Sequence, residues 1–130
     1  ATGVRPSETY LGDINLFAVF DNEDNVSNMT PNFDAVSKLD GQGLIISSSS
    51  NQYDFVSRYF CPKYGINEDP VTGSAHTTLI PYWSEKLNKT SLSAKQVSKR
   101  GGELFCENAN NRVLIGGNAV LYMKGVIEID

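Results

Sequence analysis

The chain has 130 residues, 40% of them hydrophobic and 20% charged, which suits one buried core and places it among globular rather than disordered chains. Its net charge of −4 gives no basis for nucleic-acid or anionic-membrane binding, and no apolar run is long enough to span a bilayer. The first residues, Ala-Thr-Gly-Val-Arg-Pro, lack the apolar core of a secretion signal. We therefore expect a single cytoplasmic domain over residues 1–130. Cys61 and Cys106 show no Cys-x-x-Cys or Cys/His ligand spacing, so no metal site is expected. They read as reduced, half-buried residues, with a disulfide between them left open.

Residues 1–9 are polar and read as a lead-in. Residues 10–20 alternate, with Ile14, Leu16, Ala18 and Phe20 on one face, and predict a half-buried strand. Residues 21–25 are a turn cluster. Thr30 then caps a short helix with Pro31 at its first position, and Phe33, Val36 and Leu39 supply its buried side. Gly41 and Gly43 end it. Leu44-Ile45-Ile46 begins a buried strand that trails into Ser47 to Ser50, a polar loop or the exposed end of the strand. Residues 53–60 form the next strand, closed by Cys61-Pro62.

Residues 65–87 organise the rest. Pro70 biases Asp69 toward an extended backbone, and Gly73 tolerates a conformation closed to other residues. From Ser74 the pattern is helical: Ala75, Leu79, Tyr82 and Trp83 recur at steps of three and four, widened by Ile80 and Leu87. No Asp, Glu, Lys or Arg occurs between Ser74 and Ser84, so the first turns are expected to be enclosed. Pro81 removes one hydrogen bond inside this helix, at a cost of about 3 kcal/mol. The helix ends near Asn88.

Further strands are expected at residues 94–98, 103–107 and 112–115, with turns at Arg100-Gly101-Gly102 and at residues 108–111. After Gly116-Gly117, residues 119–129 read as a long closing strand. The fold class expected is α+β, an antiparallel barrel-like sheet wrapped around one central helix, with a short outer helix.

The head of that helix carries the chemistry. Its first N–H groups have no partner within the helix, and the dipole places partial positive charge there. Thr72, Gly73, Ser74 and Ala75 are the candidate cradle for a carboxylate or phosphate, with unpaired N–H groups expected near Ser74, Ala75 and His76. Ordinary capping by a hydroxyl side chain explains the same residues. Asp69 would repel a bound anion. It fits such a site by accepting from a substrate amino or hydroxyl group or by being protonated; a turn-forming aspartate is the competing reading. His76 reads as a packed core histidine rather than a proton carrier. Glu68 reads as a solvated loop carboxylate, and Lys95, Lys99 and Arg100 as a solvated basic cluster.

Glu68-Asp69-Pro70-Val71-Thr72-Gly73-Ser74-Ala75-His76 with Pro81-Tyr82-Trp83 resembles the phenazine-biosynthesis PhzF-like family. Ser57-Arg58-Tyr59-Phe60-Cys61-Pro62, the stretch Gln96 to Leu104 and the stretch Arg112 to Val120 resemble the family's flanking segments. The resemblance implies a diaminopimelate-epimerase-like fold, in which two similar halves face each other across an active-site cleft. It also implies isomerisation of a small carboxylic acid by proton transfer, without metal or organic cofactor. The likeness is to the C-terminal half alone, and the family's general acid/base glutamate belongs to the other half. The resemblance thus makes this chain one wall of an isomerase site. Asp69 takes a supporting catalytic and substrate-binding part, alongside Thr72, Gly73, Ser74 and Ala75. The expected partners are a small carboxylate and either the N-terminal half or a second copy of the chain. Whether the chain is an enzyme alone stays open; the alternative is a non-catalytic anion-binding or self-associating domain.

Overall fold

The structure, a computed structural model, describes residues 1–129. Eight strands form one sheet: β1 (Glu8–Leu11), β2 (Leu16–Val19), β3 (Leu44–Ser49), β4 (Phe55–Phe60), β5 (Glu68–Asp69), β6 (Ser91–Gln96), β7 (Gly102–Ala109) and β8 (Arg112–Gly116). Their spatial order is β1-β2-β3-β4-β6-β7-β8, with β5 paired beside β4. Helices α1 (Glu23–Ser27) and α2 (Phe33–Ser37) lie between β2 and β3, and α3 (His76–Leu87) lies between β5 and β6.

The α+β class is as expected, but the sheet is mixed rather than antiparallel. β2 pairs parallel with β3, and β4 parallel with β6. Each parallel pair is joined by a long crossover carrying helices, the connection that parallel neighbours require. Nor does the sheet close into a barrel: β1 and β8 are its two ends.

Period-two alternation sorts the side chains onto two faces. Phe17, Ile45, Phe55 and Tyr59 point to the face that α3 covers, and they cluster with Leu79, Ile80 and Trp83. Ala18, Ile46, Val56 and Phe60 point the other way, to Val26 of α1 and Val36 of α2. The central strands are therefore buried on both faces, which is why Leu44, Ile45 and Ile46 read as an uninterrupted apolar run.

Several elements differ from expectation. Residues 10–20 are not one strand: a turn at residues 12–15 divides β1 from β2, and Ile14 is exposed in it. α1, capped by the Asn22 side chain, begins within the residues read as a turn cluster, and α2 begins behind Asn32 rather than Thr30. In both caps an asparagine oxygen accepts from the backbone three residues on. The serine run continues β3 as far as Ser49, which is exposed as a strand end, but Ser47 and Ser48 are fully buried. Residues 119–129 form no strand; their apolar side chains stand in solvent, from Met123 at 78% exposed to Tyr122 at 97%. An apolar run alone does not make a strand. A ladder partner is needed, and none is present among the described residues.

Candidate functional site

β5 is two residues long, and its pairing decides where the acidic pair goes. Asp69 lies opposite Tyr59 and Glu68 opposite Phe60. Adjacent strand residues face opposite ways, so the two carboxylates part. Glu68 is not solvated: it forms a two-point ion pair with Arg58, Nε to Oε1 at 2.7 Å and Nη2 to Oε2 at 2.9 Å. The same guanidinium donates to the carbonyls of Val26 and Met29, tying β5 to the chain around α1. Asp69 turns toward a cavity of about 590 Å³, lined also by Asn15, Tyr59, Thr72, Ser74 and Thr78.

Every polar group of Thr72 is engaged. Its N–H donates to Gln96 Oε1 at 2.8 Å, its hydroxyl donates to Asp69 Oδ2 at 2.6 Å, and its carbonyl accepts from His76 Nδ1 at 2.7 Å. A carbonyl only accepts, so His76 Nδ1 carries the proton and Nε2 is left as a bare acceptor. Nε2 is buried with no partner among the described residues, and the ring lies beside Phe55. Burial pushes the imidazole below its usual range, against the opposing pull of the Thr72 bond. His76 is a neutral core histidine that fastens α3 to the preceding turn.

The Thr72 hydroxyl points to Asp69, not to the helix, and the N-cap residue Ala75 has no side-chain cap. Capping therefore does not account for the Thr72–Ser74 chemistry. The His76 N–H, one of those expected to be unpaired, is instead taken up by Gly73 O at 3.0 Å. The N–H groups of Gly73, Ser74 and Ala75 make no hydrogen bond to the described residues. Ser74 opens on the cavity, Ala75 is 1% exposed, packs in the core cluster and does not line the cavity, and Gly73 faces a neighbouring hollow bordered by residues 100–102. The turn thus brings Asp69, Thr72 and Ser74 onto one cavity and leaves Gly73 at its margin.

The charged side chains lining the cavity are both acidic, Asp13 and Asp69. No cation among the described residues lines the cavity, so an anion here relies on the backbone N–H groups, the hydroxyls of Ser74 and Thr78 and the helix dipole, the last worth about 2 kcal/mol at most. A ligand that also brings a hydrogen-bond donor to Asp69 fits better than a bare anion. Cys61, at the cavity wall, is pushed up by burial and secondarily by the charge of Asp69; Cys106 is pushed up to about 11 by burial. Both are buried, unpaired thiols. No group of three or more His, Cys, Asp or Glu side chains among the described residues is placed to hold a metal, and no helix is long and apolar enough to cross a membrane.

Sequence reasoning missed Gln96, Tyr59 and Asn15. Tyr59 donates its hydroxyl to Asn15 Oδ1 at 2.9 Å and so closes one wall. These three come from separate strands and turns, and no local spacing marks them.

The phenazine biosynthesis-like protein model (PhzC-PhzF) matches residues 4–125. An uncharacterized isomerase of Pseudomonas aeruginosa is 45% identical over 129 residues, covering 99% of this chain and 49% of the relative. A mouse phenazine biosynthesis-like domain-containing protein is 54% identical over 76 residues, 58% of this chain and 26% of the relative. The crystal structure of a PhzF family protein from Enterococcus faecalis superposes with a TM-score of 0.90 at 55% identity, covering 96% of this chain and 48% of that one. A phenazine-biosynthesis PhzC/PhzF protein from Clostridium difficile gives 0.86 at 48% identity, covering 98% and 49%. The chain spans about half the length of the bacterial relatives it matches. On the family match and these superpositions, the chain belongs to the phenazine biosynthesis-like (PhzC-PhzF) family.

Proposed function

We propose that this chain is the C-terminal half of a cofactor-independent isomerase and forms one wall of its active-site cleft. The substrate is a small carboxylic acid that also carries an amino or hydroxyl group. Its carboxylate sits on the N–H group of Ser74, with Gly73 and Ala75 at the margin, while Asp69, steadied by Thr72, accepts from the donor. The proton itself is moved by an acid/base group from the other half, and Asp69 holds the substrate in line for it. Two buried, unpaired thiols suit a reducing, cytoplasmic setting. Exposed Ile14, Tyr64 and Ile66 around the cavity mouth suit cover by the other half or by a second copy of this chain, and the same partner would complete a barrel-like curl of the open sheet.

The observation that carries this reading is the uncapped helix head opening on a cavity beside Asp69. Isothermal titration of the natural full-length polypeptide with benzoate and 2-aminobenzoate tests it. Ser74→Pro, which deletes one N–H, weakens both ligands about tenfold or more, the equivalent of one hydrogen bond to a charged group. Asp69→Asn weakens only the amino-bearing one. Failure of the natural protein to bind either carboxylate overturns the reading. For the proton transfer, solvent deuterium is expected to enter a turned-over substrate at carbon.

A further inference from the structure

Gln96 is the last residue of β6, with 0% exposure, opposite Ser57 on one side and Gly102 on the other. Burying an amide side chain is costly unless its hydrogen bonds are met, and here they are met entirely by the turn that carries Asp69. Oε1 accepts from Thr72 N–H at 2.8 Å; Nε2 donates to Asp69 O at 2.7 Å and to Thr72 Oγ1 at 3.1 Å. The amide cannot be flipped. An N–H requires an acceptor and a carbonyl requires a donor, so the two backbone partners assign both ends.

That third bond has a directional effect. The Thr72 hydroxyl has a single proton, and Gln96 Nε2 approaches its oxygen as a donor. The hydroxyl proton is thereby turned outward to Asp69 Oδ2 at 2.6 Å. Asp69 is thus held at its backbone carbonyl directly by Gln96 and at its carboxylate through Thr72. The segment after Gln96 reinforces the hold: Ser98 Oγ donates to Pro70 O at 2.7 Å, and Gly102 lies so close to Val71 that an added Cβ would fall 2.4 Å from its methyl.

We propose that Gln96 is the positioning residue of the candidate site, orienting the Asp69 carboxylate toward the cavity through the Thr72 hydroxyl while touching no ligand itself. Its functional meaning rests on the carboxylate-site reading above; the hydrogen-bond relay does not. Gln96→Met keeps the length and removes all three bonds. Thr72→Val keeps the shape of the next link and removes its hydroxyl.

The experiment follows the Asp69 side-chain carboxyl carbon by NMR in the natural full-length protein and both variants, together with titration of benzoate and 2-aminobenzoate. Expected is a displaced Asp69 carboxyl resonance in both variants. In Gln96→Met the preference for 2-aminobenzoate is expected to fall from about tenfold to within about threefold, while benzoate affinity is kept within about threefold. An Asp69 resonance that moves in Thr72→Val but not in Gln96→Met overturns the proposal, even if thermal stability drops. So does an unchanged ligand preference in Gln96→Met. If the natural protein binds neither carboxylate, the site reading falls and the resonance comparison alone decides the relay. Should Gln96→Met not fold, Gln96→Glu retains the acceptor for Thr72 N–H, loses the donor to Asp69 O and is judged by the same two criteria.

Discussion

His76 shows how one residue's chemistry is settled by its neighbours. A free imidazole titrates near about 6.5. Buried against Phe55 with only Nδ1 satisfied, this one is held below that value. The unfolded chain therefore binds a proton that the folded chain refuses, so stability is full above about pH 6.5 and falls as pH drops below it. Urea unfolding between pH 5 and 8 is expected to show that slope. His76→Asn keeps a donor for Thr72 O and has nothing to titrate. It is expected to remove the slope and to cost about 1–3 kcal/mol at neutral pH for the lost ring volume. An unchanged slope in the variant would assign the acid sensitivity elsewhere. Glu8 lies at the other extreme: Lys86 and Tyr10 hold its carboxyl near about 2, so its contribution is present above the ordinary carboxylate range and fades as pH falls toward that value.

At the scale of elements, α3 is the piece around which the packing is arranged. Trp83 stacks on Phe55 with centroids 5.7 Å apart and planes 6° from parallel, and its indole N–H donates to Ser47 Oγ at 2.9 Å. One buried serine of the run in β3 is thereby accounted for, since Ser47 also donates to Val56 O. Trp83→Ala is expected to destabilise by about 3–5 kcal/mol, read as a lowered urea midpoint with unchanged slope. A loss below about 1 kcal/mol would mean that α3 is not the keystone described. This helix was legible in the sequence because Leu79, Ile80 and Trp83 repeat at helical spacing, and Asn88 in the left-handed region ends it where expected. The short helices were not. Five residues hold too little periodicity to read, and an asparagine such as Asn22 or Asn32 suits a helix cap and a plain turn equally well.

Across the whole molecule, exposed apolar side chains include Leu11 of β1, Ile14, Tyr64 and Ile66 at the cavity mouth, Phe105 and Leu114 on the β7–β8 ribbon, and the stretch 119–129. Exposed patches of this kind mark interaction surfaces. Sedimentation of the 130-residue chain is expected to show concentration-dependent association; a monomer at high concentration would remove the second-copy reading. Residues 119–129 also show where pattern reading stops. They are as apolar as a strand, yet only β7 has neighbours on both sides to bond with.

The amino-acid order by itself determined the enclosed helix, the turn at Asp69–Ser74 and the α+β class, because each depends on side chains near one another along the chain. Only the tertiary structure decided that two crossovers make the sheet mixed, that Glu68 pairs with Arg58 while Asp69 faces the cavity, and that the helix head stays uncapped. Those outcomes depend on partners 10 or more positions away, such as Gln96 reaching back 24 residues to Thr72. A hydrogen bond is made by distance in space, and separation along the chain carries no record of it.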